Sequence, residues 1–266
     1  MPTRDAPFTI SGTREIGREL VELATVDSTN KHAADLLSLS KVQHGAVILA
    51  HEQTEGRGQR GRTWSSAAGK DLTFSIVLQP QVLKASGQFM LAKLAALAVH
   101  DVVAGQLKWG VGKRDEEVRI KWPNDVLVER RKIAGVLIRT EVQGERVTSA
   151  VVGIGLNVNG TELEAELGAT SLRLETGREQ DREALLSEIC LRFEHHLATF
   201  RSGDQAWAAS YTERLYARGR WADLELDGEP FRARPVDVDE QGRLLVEDEA
   251  GEVRAYGHDR LRFLRS

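Results

Sequence analysis

The 266-residue chain contains one cysteine, Cys190, only six prolines and no strong excess of either charge. A single cysteine excludes an intramolecular disulfide framework and fits a reducing compartment. No apolar run reaches the roughly 20 residues that a membrane helix needs, and the charged N-terminus lacks the apolar segment of a signal peptide. These absences predict a soluble cytoplasmic protein with no membrane partner.

The net charge and the hydrophobic content exclude further classes of protein. The formal net charge is -4 and the pI is about 6.0, so no overall positive field would draw the protein to nucleic acid. Hydrophobic residues make up 41% of the chain, which is enough to build a core and argues against disordered and fibrous classes. The length suits one large domain followed by a small one.

Basic residues are concentrated in residues 56–64, which hold three glycines, three arginines and Trp64. Glycine lets a backbone approach a ligand closely, and arginine offers a planar set of donors for carboxylate or phosphate. The segment therefore indicates a loop for an anionic ligand, with a solvated basic turn as the alternative. It is neither a Walker P-loop nor a dinucleotide-binding fingerprint, because its glycine spacing differs and no Gly-Lys-Ser/Thr follows.

Hydrophobic periodicity outlines the elements around this loop. The patterns predict strands at 46–51, 71–78 and 147–158, a β-hairpin within 118–138, a loop at 110–117, and helices at 88–104 and 181–200. Asp27 or Ser28 can cap a helix that follows, and the same segment can serve as an anion or acceptor site. Cys190 and His100 fall inside predicted helices, where a packing role is the simpler interpretation.

From Trp221 onward the pattern changes to short alternating segments separated by Asp227-Gly228, Gln241-Gly242 and Ala250-Gly251. Turn signals at this spacing predict a small all-β module, a partly open barrel. The domain prediction is therefore a larger domain at 1–217 and a small β domain at 218–266.

Polar clusters follow or interrupt the predicted strands at 28–30, 53–64, 121–132 and 153–159. Functional residues usually lie on loops that a rigid scaffold holds, so convergence on one cleft is the favoured interpretation. Gly153 and Gly155 interrupt an apolar strand, which indicates a bulge or a close approach by backbone or ligand.

Five segments in this order resemble the biotin protein ligases, also called biotin–acetyl-CoA-carboxylase ligases. They are 27–30, 53–64, Lys121-Trp122-Pro123-Asn124-Asp125, 132–137 and 153–158, and the resemblance extends over roughly residues 20 to 264. It implies an α+β catalytic domain, with a mixed, largely antiparallel sheet and flanking helices, followed by a small Src-homology-3-like β-barrel.

The resemblance also implies an activity in two steps. Biotin and Mg-ATP, the substrates with their Mg²⁺ cofactor, give biotinoyl-5′-AMP, and a lysine of a biotin carboxyl carrier protein domain then takes the biotinoyl group. Attack of a carboxylate on a phosphate brings two anions together, so positioned cations suit this chemistry.

Site residues follow from the resemblance. Lys132 and Arg57 are the expected catalytic cations. The expected biotin-binding residues, which include those two, are Ser28, Thr29, Asn30, Gln53, Gly56, Gly58, Gln59, Gly135 and Gly153. The expected nucleotide-binding residues, besides Lys132, are Arg60, Trp64, Asn124, Asp125, Gly155 and Asn157, with Asp125 also a candidate metal ligand.

Two features depart from the family pattern. Gln59 stands where many members carry another arginine, so retention of the adenylate is expected to rest on Arg57 and Lys132. About 26 residues precede Asp27, too few for the winged helix-turn-helix of the repressor members, so no DNA partner is expected. The family contains monomers and dimers, which leaves a homodimer possible.

Two other functions stay open at this point. One is a lipoate ligase or octanoyl transferase of the same superfamily, and the transferase would need a nucleophilic cysteine. The other is a non-catalytic regulator that binds biotin or its adenylate, which would not need the whole set of cations.

Overall fold

The computed structural model describes residues 7–108, 117–163 and 168–264, so the predicted loop at 110–117 lies, except for Glu117, outside the described residues. A seven-stranded sheet with helices on both faces forms the larger part, and a five-stranded sheet follows it. The predicted α+β class is confirmed.

The large sheet contains seven strands in the spatial order 1-2-3-7-6-5-4. They are β1 (Leu20–Val26), β2 (Val47–Gln53), β3 (Leu72–Leu78), β4 (Val118–Lys121), β5 (Asp125–Val128), β6 (Arg131–Gln143) and β7 (Arg146–Leu156). Strand β1 runs parallel to β2, and every other neighbouring pair is antiparallel. The sheet is therefore mixed and largely antiparallel, as predicted.

Five helices accompany this sheet. They are α1 (Thr29–Ser38), α2 (Met90–Lys108), α3 (Leu172–Thr176), α4 (Arg182–Arg201) and α5 (Ala206–Glu213). Helix α2 lies on one face and is covered in turn by α4, while α1 packs on β2, β3 and β7. Among the described helices only the stretch Ala85–Lys108 is long and apolar enough to cross a membrane, and 78% of that window is buried, as in a core helix.

Successive side chains of β3 and β7 point to opposite faces of the sheet. Phe74 and Ile154 point into the main core, whereas Val77 and Val151 belong to the smaller apolar cluster beneath α1. Because side chains alternate along a strand, Thr73, Ser75, Gly153 and Gly155 lie on the α1 face. Paired residues share a face, and Thr73 pairs with Gly155, which also pairs with Gly135 of β6.

The C-terminal module is the five-stranded sheet. Its strands are β8 (Ala222–Leu226), β9 (Glu229–Val238), β10 (Leu244–Glu247), β11 (Val253–Tyr256) and β12 (Leu261–Phe263), in the order 11-10-9-8-12 and antiparallel throughout. The module begins close to residue 218, and the domain boundary at 217/218 stays a prediction.

Buried polar contacts hold this module to the larger part. The indole Nε1 of Trp122 donates to Gly242 O at 2.9 Å, and Lys93 Nζ on α2 donates to Val238 O at 2.6 Å. Burial lowers the pKa of Lys93, so the two carbonyls that it contacts, of Val238 and Asp239, offset part of the cost of burying its charge. The two sheets are therefore fixed against each other.

Candidate functional site

A cleft of about 900 Å³ opens on the α1 face of the large sheet. Its floor includes Thr73, Gly155 and Gly135, which lie side by side on β3, β7 and β6. All the predicted site residues except Gly56 line this one cleft. The structure thus brings together four sequence segments that are spread between residues 28 and 157, while the chemical roles of the residues stay predictions.

The first predicted cluster lies where β1 passes into α1. Thr29 donates through its backbone N–H to Gln53 Oε1 at 2.8 Å, and its Oγ1 lies 3.2 Å from the same oxygen. Asn30 Nδ2 donates to Leu137 O at 3.0 Å, and Ser75 Oγ lies 2.7 Å from Asn30 Oδ1. These contacts fix the start of α1 to β2, β3 and β6, so the polar groups at this end are positioned in advance.

Ser28 occupies the N-cap position of α1 in extended conformation, but its side chain makes no capping hydrogen bond. The Asp27 carboxylate accepts from the Ser28 N–H at 2.6 Å and pairs with Lys31. Side-chain capping is therefore not what these two residues provide here. Ser28 is almost fully buried and is one of the residues that line the cleft.

Residues 56–64, the basic loop, form a small hairpin closed on itself. Gly58 N donates to Arg62 O at 2.7 Å and Trp64 N donates to Gly56 O at 2.9 Å. The side chain of Arg57 is 61% exposed, and its nearest carboxylate is Glu55 at 3.9 Å. The guanidinium is thus placed at the cleft without a close internal partner, which suits an incoming anion.

Gly56 is not among the residues that line the cleft, and its predicted contact with biotin stays a prediction. It is buried at the base of the basic loop, where an added Cβ would lie 2.3 Å from Trp64 O. Its lack of a side chain lets the two ends of the loop come together. The residue therefore shapes the loop.

The strand glycines give space to protein side chains. An added Cβ on Gly155 would lie 2.3 Å from Trp64 Cε2, and one on Gly153 would lie 2.3 Å from Asn30 Oδ1. The sequence analysis expected a close approach by backbone or ligand, and the structure shows that the indole of Trp64 and the amide of Asn30 make that approach. The Trp64 Nε1 is buried against this strand and has no hydrogen-bond partner among the described residues.

Lys132 and Asp125 form the ion pair of the cleft. Lys132 Nζ lies 2.6 Å from Asp125 Oδ1, with the two side chains 36% and 22% exposed. The same ammonium group lies 5.5 Å from the centre of a Trp64 ring. Asn124 Nδ2 donates to Val136 O at 2.6 Å and so ties this segment to β6. The cation is therefore held in place, with part of its surface open to the cleft.

Asn157 is buried, and its Nδ2 donates to Thr170 O at 2.9 Å. Its side chain fixes the segment around 168–170, which also pairs with Lys132 through Lys132 N to Gly168 O at 2.8 Å. Contact with adenine stays a prediction for this residue, and support of the cleft wall is what its geometry shows.

Several cleft residues were not predicted from the sequence. Thr73 is one of them, a polar residue in an otherwise apolar strand, which is a signal that period-two analysis can detect. Glu162 and the C-terminal residues His258 and Leu261–Phe263 also line the cleft. The last group has no local signal, because only the docking of the second sheet brings it there.

Charge in the cleft favours anionic ligands. Its described lining carries seven cationic side chains, Arg57, Arg60, Arg62, Lys121, Arg130, Lys132 and Arg262, against the carboxylates Asp125 and Glu162. No group of three or more metal-ligating His, Cys, Asp or Glu side chains is found in the described part of the chain. The cleft therefore suits ligands that carry negative charge.

This combination of fold and site defines a class, the acid-activating ligases built on a mixed sheet. The sequence model of the biotin/lipoate A/B protein ligase family matches residues 22–157, and the chain belongs to that family. The matched range contains every predicted site residue.

The proteins of similar sequence and structure are named as biotin ligases. The chain is 35% identical over 245 residues to a biotin–[acetyl-CoA-carboxylase] ligase of Paracoccus denitrificans, covering 86% of this chain and 94% of the relative. It is 33% identical over 235 residues to the ligase of the same name from Mycobacterium tuberculosis, covering 86% and 84%. A biotin protein ligase from Aquifex aeolicus, solved in complex with biotin and ATP, superposes with a TM-score of 0.75 at 27% identity over 94% of this chain and all of that one.

Proposed function

We propose that this protein activates biotin with ATP to biotinoyl-5′-AMP and transfers biotin to a lysine of a biotin carboxyl carrier protein domain. The observation that carries the proposal is the Lys132 ammonium group, held 2.6 Å from Asp125 in the cleft that the basic loop also lines. The relatives named biotin–[acetyl-CoA-carboxylase] ligase support the choice of acid and acceptor.

In the first step, a carboxylate oxygen of biotin attacks the α-phosphorus of ATP. An O–P bond forms, and the P–O bond to the leaving pyrophosphate breaks with its electron pair. Charge develops on the phosphoryl oxygens, so a cation fixed before the reaction lowers the barrier without further reorganisation. Lys132 supplies that cation, and Arg57 on the basic loop neutralises the carboxylate and then the adenylate phosphate.

In the second step, the ε-amine nitrogen of the carrier lysine attacks the biotinoyl carbonyl carbon. An amide bond forms, the C–O bond to AMP breaks, AMP leaves with the electron pair, and the amine loses a proton. Contacts that hold the adenylate also keep water away from its reactive carbonyl carbon. The basic loop, which lies over Gly155 through Trp64, can provide this cover.

Mg²⁺ belongs to the proposal as the partner of ATP. Mg²⁺ takes oxygen ligands and is usually bound by one or two carboxylates together with substrate phosphates. The cleft offers the carboxylates of Asp125 and Glu162, a donor set that fits this mode. Asp125 and Glu162 would hold the ion, which would neutralise phosphate charge.

Three further expectations complete the proposal. The protein acts in the cytoplasm and has no DNA target, and the net charge of -4 supports the second of these expectations. A homodimer stays a prediction.

The test is pyrophosphate exchange into ATP with biotin, lipoate, octanoate or no acid added. Exchange that depends on biotin alone is expected. Exchange supported by lipoate would favour the lipoate ligase, and absence of exchange with every acid would favour a non-catalytic regulator.

An octanoyl transferase is disfavoured by the position of Cys190. This thiol is fully buried within α4 and is not among the residues that line the cleft. Burial raises its pKa well above the usual range, so it stays protonated and unreactive.

A further inference from the structure

A buried carboxylate stands beside the cleft without lining it. Asp71 directly precedes β3 and is 2% exposed, while Thr73, two residues further on, lies in the cleft floor. The carboxylate forms no ion pair with a described residue, and three backbone N–H groups hold it instead. Burying a carboxylate is costly unless its partners compensate, so this group and its contacts call for an explanation.

The two oxygens of Asp71 hold two different segments of the chain. Oδ1 accepts from Val158 N at 2.8 Å and from Gly160 N at 3.2 Å. Oδ2 accepts from Ala67 N at 3.0 Å. The carboxylate therefore joins the chain that follows the basic loop to the chain that follows β7.

Each of these segments carries an expected nucleotide-binding residue. Trp64 lies three residues before Ala67, and Asn157 lies directly before Val158. Trp64, Ala67 and Asn157 all line the cleft, whereas Asp71 is not among the lining residues. We call the part of the cleft around Trp64 and Asn157 the nucleotide half. Its two walls are thus connected from behind by one buried side chain.

Three N–H groups on two oxygens require a carboxylate. An asparagine side chain has the same shape but only one acceptor oxygen, and its NH2 group would face an N–H group. If that oxygen keeps its contacts with Val158 and Gly160, the amide nitrogen is placed against Ala67 N. A backbone hydrogen bond from Asn159 N to Lys70 O, at 3.1 Å, also joins the segments, so the change loosens the two walls without separating them.

We propose that Asp71 is a positioning residue for the nucleotide half of the cleft, which it sets through the segments that carry Trp64 and Asn157. This inference rests on the proposed function, because ATP is the nucleotide concerned. Local departures from the rules of folding, such as a buried carboxylate before an apolar strand, are concentrated at functional sites. A binding wall is effective only when a supporting shell holds it in place, and Asp71 supplies that support.

The experiment compares the parent protein with three variants. Asp71→Asn removes the contact with Ala67. Gly160→Ala keeps the carboxylate but crowds it, because an added Cβ would lie 3.2 Å from Asp71 Oδ2. Glu194→Gln is the matched control, since the Glu194 carboxylate on α4 also accepts from three backbone N–H groups, those of residues 14–16, and does not line the cleft.

Biotin-dependent pyrophosphate exchange is measured at varied ATP and at varied biotin, and thermal unfolding verifies that each variant is folded. We expect the KM for ATP to rise about tenfold in Asp71→Asn and about threefold in Gly160→Ala, with the KM for biotin within about twofold of the parent value. Neither KM should change in Glu194→Gln. Hydrogen exchange should show that the Ala67 amide loses protection in Asp71→Asn while the Val158 amide keeps it.

A purely structural role for Asp71 would lower the amount of active protein, and with it the maximal rate, but would leave both KM values unchanged. An unchanged KM for ATP in Asp71→Asn would therefore overturn the inference, as would equal rises in the two KM values or the same rise in Glu194→Gln. If Asp71→Asn does not fold, Gly160→Ala decides by the same criteria. Absence of biotin-dependent exchange in the parent protein would instead reject the proposed function, so the two failures are distinguishable.

Discussion

Lys132 is held on two sides in the absence of substrate, by the carboxylate of Asp125 and by the indole of Trp64. A cation fixed in this way does not have to be ordered when the phosphate charge develops. The arginines of the basic loop are different, since Arg57 has only a distant carboxylate and can turn toward whichever anion is bound. One cation is therefore preorganised and the other adaptable.

Replacing Lys132 by methionine should lower biotin-dependent pyrophosphate exchange by about a hundredfold or more, the usual effect of removing a group that stabilises transition-state charge. Biotin affinity, measured by calorimetry, should change much less, because the charge that Lys132 meets develops mainly in the transition state. Lys84→Met is the control, because Lys84 is exposed and does not line the cleft. Equal losses in exchange and biotin affinity would contradict this role.

Replacing Gly155 by alanine should displace the indole of Trp64, because the new Cβ would lie 2.3 Å from its Cε2 and the strand cannot move away. We expect the KM for ATP to rise about tenfold, with a changed tryptophan emission that is absent when Trp64 is also replaced by phenylalanine. Gly105→Ala is the control, since an added Cβ there meets nothing within 4 Å. An unchanged KM for ATP would show that Trp64 does not help to form the nucleotide site.

Helices α2 and α4 are joined by a buried polar cluster next to the apolar contacts between them. Asp101 on α2 lies 2.9 Å from His196 Nε2 on α4 and 3.7 Å from Arg214 Nε, and it also contacts His100. Burial by itself would raise the pKa of Asp101, but its hydrogen bonds to His100 and His196 and the charges of these rings hold it well below the usual range.

This lowered pKa makes stability depend on acid in a defined direction. The contribution of Asp101 is fully present above the unfolded-state pKa of about 4 and is lost as pH falls through the folded-state value below it. Asp101→Asn should destabilise the protein by about 1–3 kcal/mol at neutral pH and flatten the fall in stability below pH 4. Urea denaturation at several pH values measures both effects.

The control for this prediction is Asp35→Asn on α1, at an exposed carboxylate that makes no ion pair in the described structure. An Asp101→Asn profile that runs parallel to the parent profile through the acid range would show that another group controls acid sensitivity.

At the scale of the whole molecule, the two sheets share one core. Leu224, Ala233, Val238, Leu244 and Leu261 of the C-terminal module belong to the same buried cluster as the residues of α2. Phe89 packs against Gly242, where an added Cβ would lie 2.2 Å from the ring. Because apolar burial and polar contacts both cross the boundary, the modules should unfold together.

Replacing Trp122 by phenylalanine keeps the ring in the core but removes its hydrogen bond to Gly242 O. We expect a loss of about 1–2 kcal/mol, since the buried carbonyl loses its donor, with one cooperative transition retained. Hydrogen exchange should show amides of α2 and β10 losing protection in parallel. Trp221→Phe, at an exposed indole, should leave stability nearly unchanged. Two separate transitions in the parent protein would contradict the shared core.

The sequence by itself determined the class of fold, the family and the predicted site residues that the cleft brings together. Alternation and helical periodicity reflect which faces must be buried, and glycine and arginine at set spacings reflect the needs of a loop for anions, so these signals are local and can be read along the chain. Ser75 gives a signal of the same local kind, because its polar side chain interrupts the otherwise apolar strand β3 on the α1 face of the sheet.

Only the tertiary structure decided which groups contact one another. Trp64 fills the space above Gly155, Asn157 supports a neighbouring segment, and the second sheet contributes Phe263 to the cleft. Each of these contacts joins residues distant in sequence, and it forms because buried apolar surface and backbone hydrogen bonds select one packing of the two sheets. No local pattern carries that information.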